Sequence, residues 1–193
     1  MTPDLPDIRS LDFREVFSSK ILYDGTQGEE HLREISRFIS SQTDGAVAAF
    51  DLRDLEYIGY SYAKPTIRTP LRRQNVGEYG DRRIILLAEE RDEFLEGIEA
   101  ALKEEDMAVL VADSAEDPLD SIEPLGHIKD HLLETFHDVK EAGPATTAQV
   151  SSRLDQSLQN ANNRLRSLDD LGLIRREKVD STSGGKEWQV RIL

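Results

Sequence analysis

The 193-residue sequence contains no cysteine. That excludes a disulfide framework, a thiol nucleophile and Cys-ligated zinc. It contains no apolar run of about 18 residues, so no membrane-spanning helix and no membrane partner are expected. Its opening, MTPDLPDIRS, lacks the order of a signal peptide, so the expected compartment is the cytoplasm. No repeat occurs at solenoid periods. Positive charge is scarce, with 24 Lys and Arg against 38 Asp and Glu and a net charge of −14. A generally basic nucleic-acid coat protein is thereby excluded, and any DNA contact must be local.

Arrangements that carry enzymatic chemistry are also missing. No Ser–His–Asp order stands out, and no glycine-rich phosphate loop follows a strand. The nearest candidate, Asp24-Gly-Thr-Gln-Gly28, lacks a lysine and the required spacing, and reads as a turn. His127, His131 and Glu134 have metal-like helical spacing, but no glutamate follows the first histidine and a solvated face accounts for them better. Glu89-Glu90 and Asp92-Glu93 suit the positive end of a following helix. No enzyme activity, cofactor or metal is expected.

What is present is concentrated at the C-terminal end. Thr147 is placed to cap a short helix carrying Ala148, Val150 and Leu154, and Ser157 to cap the next. In that second helix Leu158, Ala161, Leu165 and Leu168 are spaced by three, four and three, which makes one buried stripe. Gln159, Asn160, Asn163, Arg166 and Ser167 then point away from it, with Arg164 at the flank. Amides, a guanidinium and a hydroxyl are the groups that read base edges and hold phosphates. Gly172 ends the helix. Leu173, Ile174 and Val179 begin a strand, 181–185 turns on Gly184-Gly185, and Trp188, Val190 and Ile192 alternate inward. Arg175, Arg176, Lys178, Lys186 and Arg191 add charge. From Ala145 to Leu193 there are 8 Lys and Arg against 6 Asp and Glu, whereas Met1–Asp120 has 14 against 27.

The run NANNRLRSLDDLGLIRREK, with its Gly turn and closing strand, resembles the winged helix-turn-helix of MarR- and ArsR-type bacterial and archaeal regulators. The resemblance covers the last quarter to third of the chain. It implies double-stranded DNA as partner. Thr147, Gln156, Ser157, Gln159, Asn160, Asn163, Arg164, Arg166, Ser167, Lys178 and Lys186 are the candidate contacts.

The N-terminal part alternates strands and helices, the mark of an α/β layer with an at least partly parallel sheet. Strands are expected at Leu11–Phe17, Lys20–Tyr23, 45–52, 83–88 and 107–112, and helices at Glu29–Gln42 and Asp92–Glu104. Pro65 and Pro70 argue against one uninterrupted helix over 62–74. The segment AAFDLRDLEYIGYSYAKP resembles the STAS-like domains, which include anti-sigma factor antagonists. That resemblance implies a phosphorylation or ligand site at Ser61, with Arg68 as a phosphate partner; the plainer reading is that Ser61 is a helix N-cap. An α/β layer fused to a winged helix is also how ligand-sensing regulators of CRISPR systems are built.

The expected organisation is therefore a STAS-like sensor or interaction domain over 9–113, an acidic linker over 114–123 and a winged helix-turn-helix over 124–193. Leu125–Val139 reads as one amphipathic helix that opens the winged domain, dimerises, or both. The expected function is a homodimeric transcriptional regulator whose N-terminal domain senses a small ligand or a protein partner. The alternative is an adaptor that binds only proteins.

Overall fold

The computed structural model describes residues 7–89, 93–180 and 184–193. The chain divides into two compact units, Met1–His127 and Ile128–Leu193. The fold is α/β.

The first unit opens with β1 (Ile8–Asp12) and α1 (Phe13–Phe17), then β2 (Ile21–Leu22), α2 (Gly25–Ser41), β3 (Val47–Asp51) and β4 (Tyr57–Ile58). It continues through α3 (Tyr60–Ala63), a π-helical turn Lys64–Arg68, α4 (Thr69–Asn75), β5 (Arg83–Leu87), a 3₁₀ turn Glu93–Leu95 and α5 (Glu96–Lys103). It closes with β6 (Ala108–Ala112), α6 (Pro118–Ser121) and β7 (Glu123–Gly126). The main sheet runs β1-β3-β5-β6-β7, parallel except for β7, and β2 pairs with β4 in a separate parallel ribbon. Phe50, Ile84, Leu86, Val109 and Val111 form one core with Ile35 and Ile39 of α2, Leu71 of α4, and Ile98 and Leu102 of α5. The alternate residues Val47, Ala49, Ile85, Leu87 and Leu110 are buried as well. Burial on both faces is why these strands read as unbroken apolar runs.

Four expectations change. The strand expected over Leu11–Phe17 stops at Asp12, whose Oδ1 accepts from the Glu15 N–H at 2.9 Å and starts α1. Phe13 and Phe17 then meet edge-on at 5.1 Å, four residues apart as a helix requires. Asp24-Gly25 is a helix start rather than a turn, because Asp24 caps α2 through the Thr26 N–H at 2.8 Å. The segment 60–75 is helical throughout despite both prolines. Pro65 lies in the wider π turn Lys64–Arg68 and Pro70 in the first turn of α4, and hydroxyls bond nearby carbonyls: Thr66 donates to Tyr62 O at 2.7 Å and Thr69 to Lys64 O at 3.1 Å. Gly28 lets α2 approach this turn, since a Cβ there would lie 2.7 Å from Pro65 Cγ. The helix expected from Asp92 begins its described part with the 3₁₀ turn, residue 92 lying outside the described residues.

The stretch expected as a linker belongs to the first unit. Within 114–123 lies α6, and β7 follows as an edge strand on β6. Leu125 is thus in a strand, not a helix, and packs against the first core. Pro124 tolerates an edge position, where no ladder N–H is needed. Gly126, at φ 117°, brings its backbone so close to Met107 O that a Cβ would lie 2.4 Å away.

The second unit comprises α7 (Asp130–Ala142), β8 (Ala145–Thr146), α8 (Thr147–Arg153), α9 (Leu158–Asp170), β9 (Arg175–Asp180) and β10 (Lys186–Arg191). Its antiparallel sheet has the order β8-β10-β9. Three helices and a hairpin enclose Leu132, Phe136, Val139, Val150, Ala161, Leu165, Leu168, Leu173, Ile174 and Val190. This is the winged-helix arrangement. The apolar stripe of α7 is spent inside it, which removes the sequence's reason for a dimerisation helix.

Candidate nucleic-acid interface

The helix-turn-helix is set by caps. Thr146, not Thr147, caps α8: its Oγ1 accepts from the Gln149 N–H at 3.3 Å, and Gln149 Oε1 accepts from the Thr146 N–H at 2.8 Å. This is a reciprocal capping box. Thr147 follows as the first helical residue, and its hydroxyl is buried with no hydrogen-bond partner among the described residues. In the turn Asp155 takes a left-handed conformation at φ 47°, and Ser151 Oγ donates to Gln156 O at 2.7 Å. Ser157 caps α9 as expected, accepting from the Asn160 N–H at 3.2 Å. At the far end Gly172 N–H reaches Asp169 O at 2.8 Å and Leu173 N–H reaches Leu168 O at 2.9 Å. Those two bonds form a Schellman motif around Gly172 at φ 75°.

On α9, Gln159, Asn160, Asn163, Arg166 and Ser167 are all exposed, opposite buried Ala161, Leu165 and Leu168. Arg166 is 74% exposed and only loosely paired, 4.0 Å from Asp170. The face therefore presents three amides, a guanidinium and a hydroxyl on one continuous helical surface.

The structure draws two candidates away from that face. Arg164 is only 18% exposed, and its Nη1 lies 2.8 Å from Glu134 Oε2, 3.1 Å from His131 O and 3.4 Å from Thr135 Oγ1. It fastens α9 to α7. The Gln156 amide is buried without a hydrogen-bond partner among the described residues. Leu158, expected in the buried stripe, is 57% exposed instead. It stands in the first turn of α9, where the stripe runs past the edge of the core.

The wing carries the remaining charge. Lys178 and Lys186 are exposed, and Lys186 stands opposite Asp180 in the register of the hairpin. Trp188 was expected to face inward with Val190 and Ile192; those two are buried, but the Trp188 ring is 42% exposed. Arg176 and Lys178 lie over it at 4.9 and 5.1 Å from its centroid. Arg176 also donates to Asn162 Oδ1 at 2.8 Å, which joins the wing to α9. Residues 181–183 of the wing turn lie outside the described residues, while Gly184 and Gly185 take positive φ angles of 89° and 92°. A bidentate pair invisible to the sequence, Arg153 to Asp138 at 2.7 Å on each arm, locks α8 to α7. The Asp138 hydrogen bonds raise the Arg153 pKa further.

In the first unit Ser61 is exposed, but Gly59 is the N-cap of α3 and Ser61 is its second residue. Ser61 is therefore not the cap. Arg68 sits two turns further on, about 10 Å along the helix, and pairs with Glu104 and, at 3.3 Å, with Glu105. Glu104 is held below the usual carboxylate range by the Tyr60 hydroxyl and by Arg68. Arg68 is thus engaged away from Ser61. A cavity of about 710 Å³ opens at the carboxyl ends of β3 and β5, lined by Arg53, Tyr57, Phe94, Glu56, Glu89 and Glu96 among others. Among the described residues its one cation is Arg53, which is paired with Asp51, with arms at 2.9 and 2.5 Å. His127 lies outside α7, so the expected helical set of His127, His131 and Glu134 does not form one face. Among the described residues no helix is long and apolar enough to cross a membrane.

No protein-family model and no curated protein matches this chain. One similar solved structure is described as a possible transcriptional regulator from Methanosarcina mazei Go1. It shares 13% identity at a TM-score of 0.31, over 34% of this chain and 57% of that one. This chain thus spans less than two thirds of that neighbour, and a likeness of that size fixes neither fold nor function.

Proposed function

We propose that this protein is a transcriptional regulator whose C-terminal winged helix binds duplex DNA, with α9 in the major groove and the wing against the backbone. The observation that carries this reading is the exposed face Gln159–Asn160–Asn163–Arg166–Ser167 on a capped recognition helix. Asn and Gln suit adenine edges and Arg suits guanine or phosphate. Arg166, Lys178 and Lys186 supply local positive charge on an otherwise acidic chain. Two copies on a two-fold site would double these contacts; light scattering of the DNA complex tests that stoichiometry.

The α/β unit is the input in this reading. Its cavity sits at the carboxyl ends of parallel strands, where such sheets bind ligands. Several carboxylates and a committed arginine speak against a phosphate-bearing ligand there.

Fluorescence anisotropy with the DNA upstream of the chain's own gene tests the function. Binding should be strongly weakened in an Asn163→Ala/Arg166→Ala variant that keeps the wild-type melting temperature. Equal binding by both proteins would remove α9 as the reading element.

A further inference from the structure

Two large apolar side chains are exposed on the second unit among its described residues, Leu158 and Trp188, and both line one groove of about 600 Å³. Thr147, Gln159, Asn162 and Glu187 line it as well. The groove therefore joins the N-terminal turn of α9 to β10. Leu158 is the first residue of α9, directly after the Ser157 cap. The N-terminal turn of a recognition helix is the part that reaches base edges.

The lining selects the occupant. Among the described residues no cation lines the groove, and Glu187 is a carboxylate within it. A phosphate is disfavoured there. Arg176 and Lys178 lie over the Trp188 ring, so positive charge flanks the groove without entering its lining. An anionic strand is drawn alongside while the groove itself accepts something apolar. In the major groove of DNA the apolar group on a base edge is the thymine C5-methyl. Gln159 beside Leu158 offers the amide that suits a neighbouring adenine.

We infer that the Leu158–Trp188 groove receives the C5-methyl of a thymine, and so sets part of the sequence preference of the winged helix. This rests on the DNA-binding reading above.

The test starts from a duplex selected by the full chain from a random library roughly three helical turns long. Each thymine is replaced singly by deoxyuridine, which removes only the methyl. Wild-type affinity should fall about 4-fold at one position per half-site, the equivalent of ~0.8 kcal/mol for one buried methyl-sized group. Leu158→Ala should be insensitive to the same replacement, and Leu158→Met should stay sensitive. Because Leu158 is exposed, its truncation leaves the core intact. Equal deoxyuridine sensitivity of wild type and Leu158→Ala would overturn the inference while leaving DNA binding standing. So would a selected site without thymine, or a Leu158→Ala chain that changes oligomeric state, which would assign the groove to a second copy. Failure to select any duplex would remove the DNA reading, and this inference with it.

Discussion

Arg164 separates the structure from the sequence pattern most sharply. By helical position it flanks the reading face and suits a phosphate; in the fold it ties α9 to α7. Arg164→Ala removes the bond to His131 O at 3.1 Å, the contact with Thr135 Oγ1 at 3.4 Å and the ion pair with Glu134. A hydrogen bond from a charged group is worth roughly 1.5–3 kcal/mol when sheltered. Glu134, however, is 60% exposed, which cuts its share to about 0–1 kcal/mol. Thr135 keeps its own bond to His131 O at 2.9 Å, so no buried hydroxyl is orphaned. The expected cost is about 1–2 kcal/mol, a drop in melting temperature of several degrees for a unit of this size. Urea melts followed by circular dichroism measure the stability, and anisotropy at one fixed salt concentration measures DNA affinity. Affinity should change less than about 2-fold, since no phosphate contact is lost. An unchanged melt with affinity down about 10-fold would refute the assignment and return Arg164 to the DNA face.

Four further substitutions test the packing, the caps and a buried histidine. Gly97→Ala would place a Cβ 2.7 Å from Ile58 O and 2.8 Å from Tyr60 N, both backbone atoms that cannot swing away. It should destabilise by ~2–3 kcal/mol although alanine gains ~1 kcal/mol in helix propensity; a raised melting temperature would refute the close approach. Thr146→Ala should cost about 1 kcal/mol by removing the cap of α8, whereas Thr147→Ala should cost less; thermal melts that rank them the other way would contradict the cap assignment. His31 stacks on Phe17 at 4.0 Å and shares a hydrogen bond with Tyr62 Oη at 2.8 Å. Burial lowers its pKa, with Glu30 opposing. The folded state therefore takes up the proton less readily than the unfolded one, so this contribution is present above the ordinary imidazole pKa and is lost as pH falls below it. Urea midpoints from pH 7.5 to 5 should fall more steeply for wild type than for His31→Gln; parallel slopes would rule the histidine out.

The winged helix was legible because its signals are local. Caps, a three-four-three apolar spacing, Gly172 and an alternating strand all act within a few residues. The N-terminal strands were legible for a related reason, since burial on both faces leaves apolar runs such as 45–52. The errors came where a distant partner decides. Arg164 reads as a surface residue until α7 supplies Glu134 and the His131 carbonyl. Trp188 alternates correctly with Val190 but stands beyond the buried core, under Arg176 and Lys178. Pro65 and Pro70 break a helix in isolation, yet a π turn accepts Pro65 and the first turn of α4 accepts Pro70. Leu125 joins a helical apolar pattern by spacing alone, while β6 offers an edge that draws it into a strand. The Leu158–Trp188 groove had no sequence signal, because both residues fit an inward-facing period.

The central claim is that α9 and the wing dock on DNA through amides and a few cations. Its most direct test is the affinity for the upstream duplex across a salt series, beside the Asn163→Ala/Arg166→Ala variant. The account predicts a log–log slope of about −0.9 per phosphate held, so a few units for Arg166, Lys178 and Lys186 in each copy. The variant should be shallower by about one unit for each Arg166 removed. Binding that is indifferent to salt, or absent from both proteins alike, would contradict it and leave the second unit as a protein-docking module.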